Sequence, residues 1–268
     1  MTPEQLRDLY DARLRPWVEP DPAPGIVVER FGGLVRVTGR EQGFVESGPD
    51  VGLEGAALDA AIALHRDHFA ARGEAMEWKT RSHDRPADLV DRLVAAGFEP
   101  EEPETVLVGI AADLAHGGAA PAGVRIRRTE DPADFARIAA MESAVWKEDW
   151  TWLGNDLERE VAHDARHFLV FVAEADGEVV SAAWLANTPG TGFAGLWGGS
   201  TLAAWRGRGI YRALVATRAR AALDRGVEYL QVDASRDSRP ILERLGFVAV
   251  TTTTPYVWSP SGRSPAGA

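Results

Sequence analysis

The sequence predicts an α/β fold built as two tandem units, each a mixed, mostly antiparallel sheet flanked by helices. Three observations carry this expectation. The second half alternates strand and helix signals, with a run of strands before its longest helix. The first half echoes that order, and Asp84-Arg85-Pro86 and Ala96-Gly97-Phe98 stand where Ser238-Arg239-Pro240 and Leu245-Gly246-Phe247 stand later. Between the halves, residues 111–123 are small, rich in Gly, Ala and Pro, and lack periodic apolar positions, so they read as a linker.

The elements follow in order. Residues 124–130 form a strand, and 131–146 a helix with Asp131 as N-cap and Pro132 in its first turn. A second short helix is expected near 155–164. Residues 167–187 read as a hairpin turning at Asp176-Gly177. Residues 192–202 add a third strand, whose glycines predict a bulge. An arginine- and glycine-rich turn follows, then a helix ending at Gly226, a strand over 228–235, a short helix, and a last strand over 248–258. The expected domains are therefore 1–110 and 124–258, joined by 111–123, with a disordered tail at 259–268.

Composition narrows the function. The chain of 268 residues has 45% hydrophobic residues, enough for a buried core, and no cysteine. Disulfides, thiolate metal sites and a cysteine nucleophile are excluded. Without a long apolar run or a signal-peptide core, the expectation is a soluble, cytoplasmic protein with no membrane partner. The net charge is −11. Residues 1–122 carry 12 basic and 22 acidic side chains, residues 123–268 carry 17 and 18. An acidic chain without a basic tail is a poor nucleic-acid binder. His65 and His68 have a spacing that can bind metal, but no further carboxylate or histidine completes a set, so no metal is expected.

Against this acidic background stands "WRGRGIYRAL", residues 205–214, a strand-to-helix turn with three arginines. The first N–H groups of a helix have no intrahelical acceptor, and the aligned peptide dipoles add partial positive charge there. Gly207 and Gly209 let an anion approach the backbone, and Arg206 and Arg208 offer charge-assisted bonds. A pyrophosphate suits this arrangement better than a carboxylate. The turn is neither a nucleotide-triphosphatase loop nor the glycine fingerprint of a dinucleotide fold.

In its context the turn resembles the signature [RQ]-x-x-G-x-[GA] of the GNAT superfamily of N-acetyltransferases. Here it stands as Arg206-Gly207-Arg208-Gly209-Ile210-Tyr211, with Tyr in place of the final Gly or Ala. The resemblance covers about 124–258 and extends more weakly to the first half, which looks like a degenerate second unit. It implies acetyl-CoA as co-substrate, with its pyrophosphate on residues 206–211 and its pantetheine arm along Ser200, Thr201 and Leu202. Ser235 stands where the family often has Asn near the cofactor. It also implies direct acyl transfer, the oxyanion being met by a backbone N–H.

The catalytic groups are less plain. Where the family often has Tyr to protonate the leaving thiolate, this chain has Leu242. Tyr211 and Tyr256 are the candidates for the acid, each with core packing as the alternative. Asp233 is the candidate base, or else a structural aspartate. Glu142, Trp146, Trp150 and Trp152 fall in the helical region that shapes the family's acceptor pocket, where they would bind substrate, or else pack two helices. Deprotonating an amine of pKa about 10.4 at pH 7 costs roughly 4.6 kcal/mol, against about 1.1 kcal/mol near pKa 7.8, so a small-molecule amine of low pKa is the expected acceptor. The alternatives are a protein N-acetyltransferase and a non-catalytic acyl-CoA-binding module.

Overall fold

The computed structural model describes residues 1–260; the tail expected at 259–268 lies, from 261 on, outside the described residues. The chain divides into two compact units that are not consecutive in sequence. Unit 1 comprises Met1–Val106, Asp233–Asp237 and the chain from Ala249 onward; unit 2 comprises Leu107–Val232 and Ser238–Val248. Of the expected linker, Ala111–Leu114 forms a short helix with Ala111 and Leu114 buried.

Unit 1 starts with helix α1 (Pro3–Leu9), closed by a capping box in which Thr2 and Gln5 bond each other's backbone N–H. Strands β1 (Val27–Phe31), β2 (Leu34–Thr38) and β3 (Gly43–Ser47) form an antiparallel meander. Helix α2 (Gly55–Arg72) then crosses over to β4 (Met76–Arg81), which runs parallel to β3 from Gly43↔Met76 to Val45↔Trp78. Gly73 ends α2 in the left-handed conformation, at φ 67°. Helix α3 (Leu89–Ala95) follows, then the short strand β5 (Glu99–Pro100) and β6 (Glu104–Ile110). Alternate residues of the sheet meet Leu58, Ile62 and Phe69 of α2 and Leu89 and Leu93 of α3, giving a core centred on fully buried Trp78.

Unit 2 holds the end of β6 from Leu107, helix α4 (Ala111–Leu114), and a second meander, β7 (Arg125–Thr129), β8 (Phe168–Ala175), β9 (Glu178–Thr188) and β10 (Phe193–Thr201). Asp176 and Gly177, both at positive φ, make the β8–β9 turn. Helices α5 (Pro132–Trp146) and α6 (Thr151–Asp164) connect β7 to β8; α6 starts four residues earlier than the sequence suggested. Asp131 caps α5 through the N–H of Ala133. Helix α7 (Ile210–Leu223) links β10 to β11 (Tyr229–Ala234), which is parallel to β10. Helix α8 (Arg239–Leu245) and β12 (Val248–Trp258) are the last elements among the described residues. From Ala249 on, β12 belongs to unit 1, pairing antiparallel with β4 from Thr253↔Arg81 to Trp258↔Met76. The order β3–α2–β4–α3 in unit 1 thus matches β10–α7–β11–α8, and each unit has one parallel pair beside a meander.

An ion network joins β7, α5 and β8. Arg127 bonds Asp134 at 2.6 Å and Glu174 at 2.8 Å, and Arg137 reaches the same two carboxylates at 2.9 and 3.0 Å. The Arg127 bonds hold both acids down to about 2, from ordinary values of 3.8 for Asp134 and 4.5 for Glu174. Because folding lowers these values, the stabilisation is complete above about pH 4.5 and is lost as pH falls through about 2. Asp134 alone should contribute about 2 kcal/mol. Urea midpoints measured from pH 6 to pH 2 should fall across that window, and Asp134→Asn should flatten the curve.

Candidate active site

The site in unit 2 begins where β10 leaves its neighbours. Its parallel ladder with β11 runs only from Phe193↔Tyr229 to Gly195↔Gln231, after which neither strand finds a register partner in the other. On the other side, the antiparallel ladder with β9 shifts register between Gly198 and Thr201, the bulge that the glycines predicted. Gly198 and Gly199 have φ of 64° and 100°. A Cβ at Gly198 would stand 2.5 Å from the Trp184 ring, and one at Gly199 would stand 2.6 Å from the Tyr211 ring. Both positions therefore require glycine, and the second explains how Tyr211 replaces a small residue: its ring lies against a strand position without a side chain.

The bulge is held from both sides. The Ser181 hydroxyl donates to the Ser200 carbonyl at 2.6 Å and lies 2.9 Å from the Thr201 hydroxyl. The Leu202 N–H donates to the Val180 carbonyl at 2.9 Å. Beneath it, Arg218 of α7 is 1% exposed and has no carboxylate partner among the described residues. Its guanidinium donates to the carbonyls of Trp184 at 3.2 Å, Trp197 at 3.0 Å and Leu214 at 3.3 Å. Burial pushes Arg218 down to about 10, so it still carries its charge at neutral pH. Trp184 and Trp197 are register partners across β9 and β10, so Arg218 ties the two strands together immediately before the bulge. Sequence reasoning missed this residue, although an arginine eight residues after Ile210 on the apolar stripe of α7 was a signal.

A 3₁₀ turn, Ala203–Trp205, leads to the arginines. Arg206 Nε donates to the Thr201 carbonyl at 2.9 Å, which folds the turn back on the strand. The Arg208 guanidinium lies 4.5 Å from the centre of the Trp205 ring. Gly207 and Gly209 have φ of 73° and 87°, and open space lies where a Cβ of Gly207 would point. Gly209 caps α7 without a side-chain bond, and the first intrahelical bond runs from Ala213 N–H to the Gly209 carbonyl. The N–H groups of Ile210, Tyr211 and Arg212 thus precede the helical ladder. Among the described residues no carboxylate pairs with Arg206, Arg208 or Arg212. The set offers N–H donors, partial positive dipole charge and three cations that no carboxylate neutralises, which fits a diphosphate.

The residues expected to bind substrate gather on α5 and α6. Trp146, Trp150 and Trp152 form a stacked row, with centres 6.3 and 5.3 Å apart. Trp146 is 47% exposed and donates through Nε1 to Glu142 Oε2 at 2.9 Å. Glu142 is 2% exposed, and its Oε1 is buried without a hydrogen-bond partner. Burial raises its pKa against the opposing pull of Ser200 on β10 and of Trp146. Burial likewise raises the pKa of Tyr211. Leu242 is fully buried in α8.

Asp233, Ser235 and Tyr256 fall in unit 1. Asp233 bonds Lys79 at 2.7 Å. Burial works against the Lys79 ammonium, but Asp233 and Glu77 outweigh it and raise its pKa. Ser235 is exposed just past β11. Tyr256 pairs with Trp78 across β12 and β4 and packs against the unit 1 core.

Unit 1 has its own parting strands, since β3 and β4 cease to pair after Val45↔Trp78. There the gap is bridged. Arg15 donates to the carbonyls of Ser47 at 3.0 Å and Gly48 at 2.9 Å and pairs with Asp84 at 2.7 Å. Arg85 N–H bonds the Pro49 carbonyl, and Val51 N–H bonds the Arg85 carbonyl, at 2.9 and 3.0 Å. The β3–α2 loop also lacks arginine.

Gly199→Val should lower stability by about 1–3 kcal/mol through the positive φ and the Tyr211 contact. Combined with Tyr211→Ala, it should recover part of the lost Tm; no recovery would place the strain elsewhere.

Comparison with known proteins bears on this geometry. Residues 133–247 match the family model described as the acetyltransferase (GNAT) family. No curated protein matches the chain. Among solved structures, a GCN5-related N-acetyltransferase from Kribbella flavida is similar at TM-score 0.63 and 18% identity, over 97% of this chain and 94% of that one. A tandem GNAT protein from the clavulanic acid biosynthesis pathway is similar at TM-score 0.63 and 16% identity, over 98% and 96%. A GCN5-related N-acetyltransferase from Sphaerobacter thermophilus reaches TM-score 0.60 and 18% identity, over 88% and 84%. At these identities the likeness concerns the fold. Among the described residues, no group of three or more His, Cys, Asp or Glu is placed to hold a metal ion, and no helix is long and apolar enough to cross a membrane.

Proposed function

Residues 133–247 match the acetyltransferase (GNAT) family model, and from that premise we propose that the protein is an acetyl-CoA-dependent N-acetyltransferase acting on the amine of a small molecule. The observation that carries the reading is the stretch 206–212: three arginines without carboxylate partners among the described residues, at an open helix start, after a strand that parts from β11.

In this reading Arg206, Arg208 and the N–H groups of residues 209–211 hold the diphosphate of acetyl-CoA. The side of β10 that has parted from β11, at Ser200 and Thr201 with Leu202 just beyond, takes the pantetheine arm through backbone groups that Ser181, Arg206 and Val180 leave free, and Ser181 and Arg218 keep that edge in place. Bound acetyl-CoA supplies an activated acetyl thioester. The row of Trp146, Trp150 and Trp152 gives an organic ammonium ion an aromatic surface to rest on. Glu142 takes the proton that the amine loses as it attacks. A buried carboxyl with raised pKa is better matched to that task than an exposed one. Tyr211, kept protonated by burial, is our candidate for returning a proton to the thiolate. Asp233 is engaged by Lys79 and Tyr256 is packed in the unit 1 core, so we give neither a proton-transfer role. Unit 1, whose gap is bridged by Arg15, has no donor site in this reading.

A second reading, a non-catalytic acyl-CoA-binding module, is favoured by one observation: Leu242 stands buried where the family often has the acid. Thiol release from acetyl-CoA across a panel of small amines separates the two. Amine-dependent release supports the enzyme, whereas binding of acetyl-CoA with no release by any amine, including peptide N-termini and lysine, favours the module.

A further inference from the structure

Between the β1–β2 turn, the loop before α2 and α2 itself lies a cleft of about 430 Å³. Its walls are mostly apolar, with Phe31, Leu34, Val51, Leu53 and Leu64 among them, and Leu64 at the rim is 52% exposed. His65 also lines it, with no exposed surface, and neither of its ring nitrogens has a hydrogen-bond partner. Two further buried polar atoms without partners lie close by. Trp78 Nε1 belongs to a ring centred 5.9 Å from the His65 ring, and His68 Nε2 is one helical turn along α2. Phe31 packs edge-on against His65 at 4.9 Å.

Leaving buried polar atoms unpaired costs about 1–3 kcal/mol each, so such a group needs a reason. Burial, and then the Arg36 cation, push His65 down to about 4, so at neutral pH its ring is uncharged and offers one N–H and one lone pair. The nearby charges are already engaged. Arg36 is bonded to Glu29 at 2.8 Å and lies over the Phe31 ring, and Asp50 at the cleft accepts the Gly52 N–H at 2.8 Å. His68 is also held towards its neutral form, by burial first. Asp50 is the only charged residue in the lining, and its carboxylate is exposed and bonded to a backbone N–H, so the lining offers no cation to an anionic ligand and no buried carboxylate to a cationic one.

We propose that this cleft is a second binding site, for a small uncharged molecule with an apolar body and one hydroxyl group that bonds to His65. A hydroxyl both donates and accepts, matching the neutral imidazole. The walls match the body, and the site lies within unit 1, apart from the residues assigned to acetyl-CoA.

Phenol is the probe, with benzene as its counterpart lacking the hydroxyl. In the full-length protein, phenol should shift the His65 imidazole signals in a saturable way, leaving those of exposed His116 in place. It should bind about tenfold more tightly than benzene, the value of roughly one buried hydrogen bond. His65→Phe, which keeps an aromatic ring but removes both nitrogens, should abolish that tenfold preference. Three results would overturn the proposal: no selective shift of His65, equal affinity for phenol and benzene, or a preference for phenol that survives His65→Phe. The first two need only the natural sequence, so they decide the matter even if the variant does not fold. None depends on acetyl-CoA, so a failure here and a failure of the transferase reading are distinguishable.

Discussion

The double variant Arg206→Glu/Arg208→Glu is expected to bind acetyl-CoA at least about 10²-fold more weakly than the natural sequence. Each hydrogen bond to a charged group contributes about 1.5–3 kcal/mol, and every 1.4 kcal/mol is tenfold in affinity. Losing two such groups already reaches that figure, and two carboxylates at the mouth of a phosphate site add repulsion. The fold should tolerate the change, since both side chains are exposed and pair with no carboxylate. Their local contacts are the Arg206 bond to Thr201 and the Arg208 stacking on Trp205. Surface substitutions of this kind usually alter stability by about 0.5 kcal/mol or less. Calorimetric titration gives the affinity and thermal unfolding gives the control. Unchanged affinity in a well-folded variant would remove the turn from the binding site.

The second large effect concerns chemistry rather than binding. Glu142→Gln should lower kcat by about 10²–10⁴-fold, the usual contribution of a positioned acid or base, while the acetyl-CoA Kd stays as it was. Gln has the same shape and retains an acceptor for Trp146, so the row of tryptophans should persist. The pH profile carries more information than the rate alone. Because burial raises the Glu142 pKa, the base is present above that raised value, and activity falls as pH drops through it. In Glu142→Gln that acid limb should disappear. A variant with full kcat would make Glu142 a support for Trp146 and nothing more.

Much of the fold was legible because its signals are local. Asp176-Gly177 announces a hairpin, and both residues do adopt positive φ. The paired glycines at 198 and 199 announce a bulge, and the register shift falls there. The repeated order of helix, glycine, strand and short helix appears twice in the structure. What could not be read depends on residues far apart in the chain. Arg15 meets Asp11 within its own turn, but the partners with which it bridges the gap, Ser47, Gly48 and Asp84, are 32 or more positions away. Lys79 meets Asp233 only because both lie in unit 1. The apolar pattern of β12 marks a strand but does not say which strand it joins, and its partner is β4 of the first half. In the candidate site the arginine turn was readable from its composition. Arg218 stands on the apolar stripe of α7, but two of its three carbonyl partners, Trp184 and Trp197, come from other strands, and only the fold brings them to it. The role of Glu142 was legible only as charge in a helical region. Its burial and its unpartnered oxygen needed the structure.

The central claim is that one unit, and not the other, holds acetyl-CoA. Titrating the natural sequence with acetyl-CoA by calorimetry tests it most directly through the stoichiometry. The account predicts one site per chain, in unit 2, with the gap in unit 1 held shut by Arg15. Two equivalent sites would contradict the reading of unit 1, and no binding at all would contradict the transferase itself.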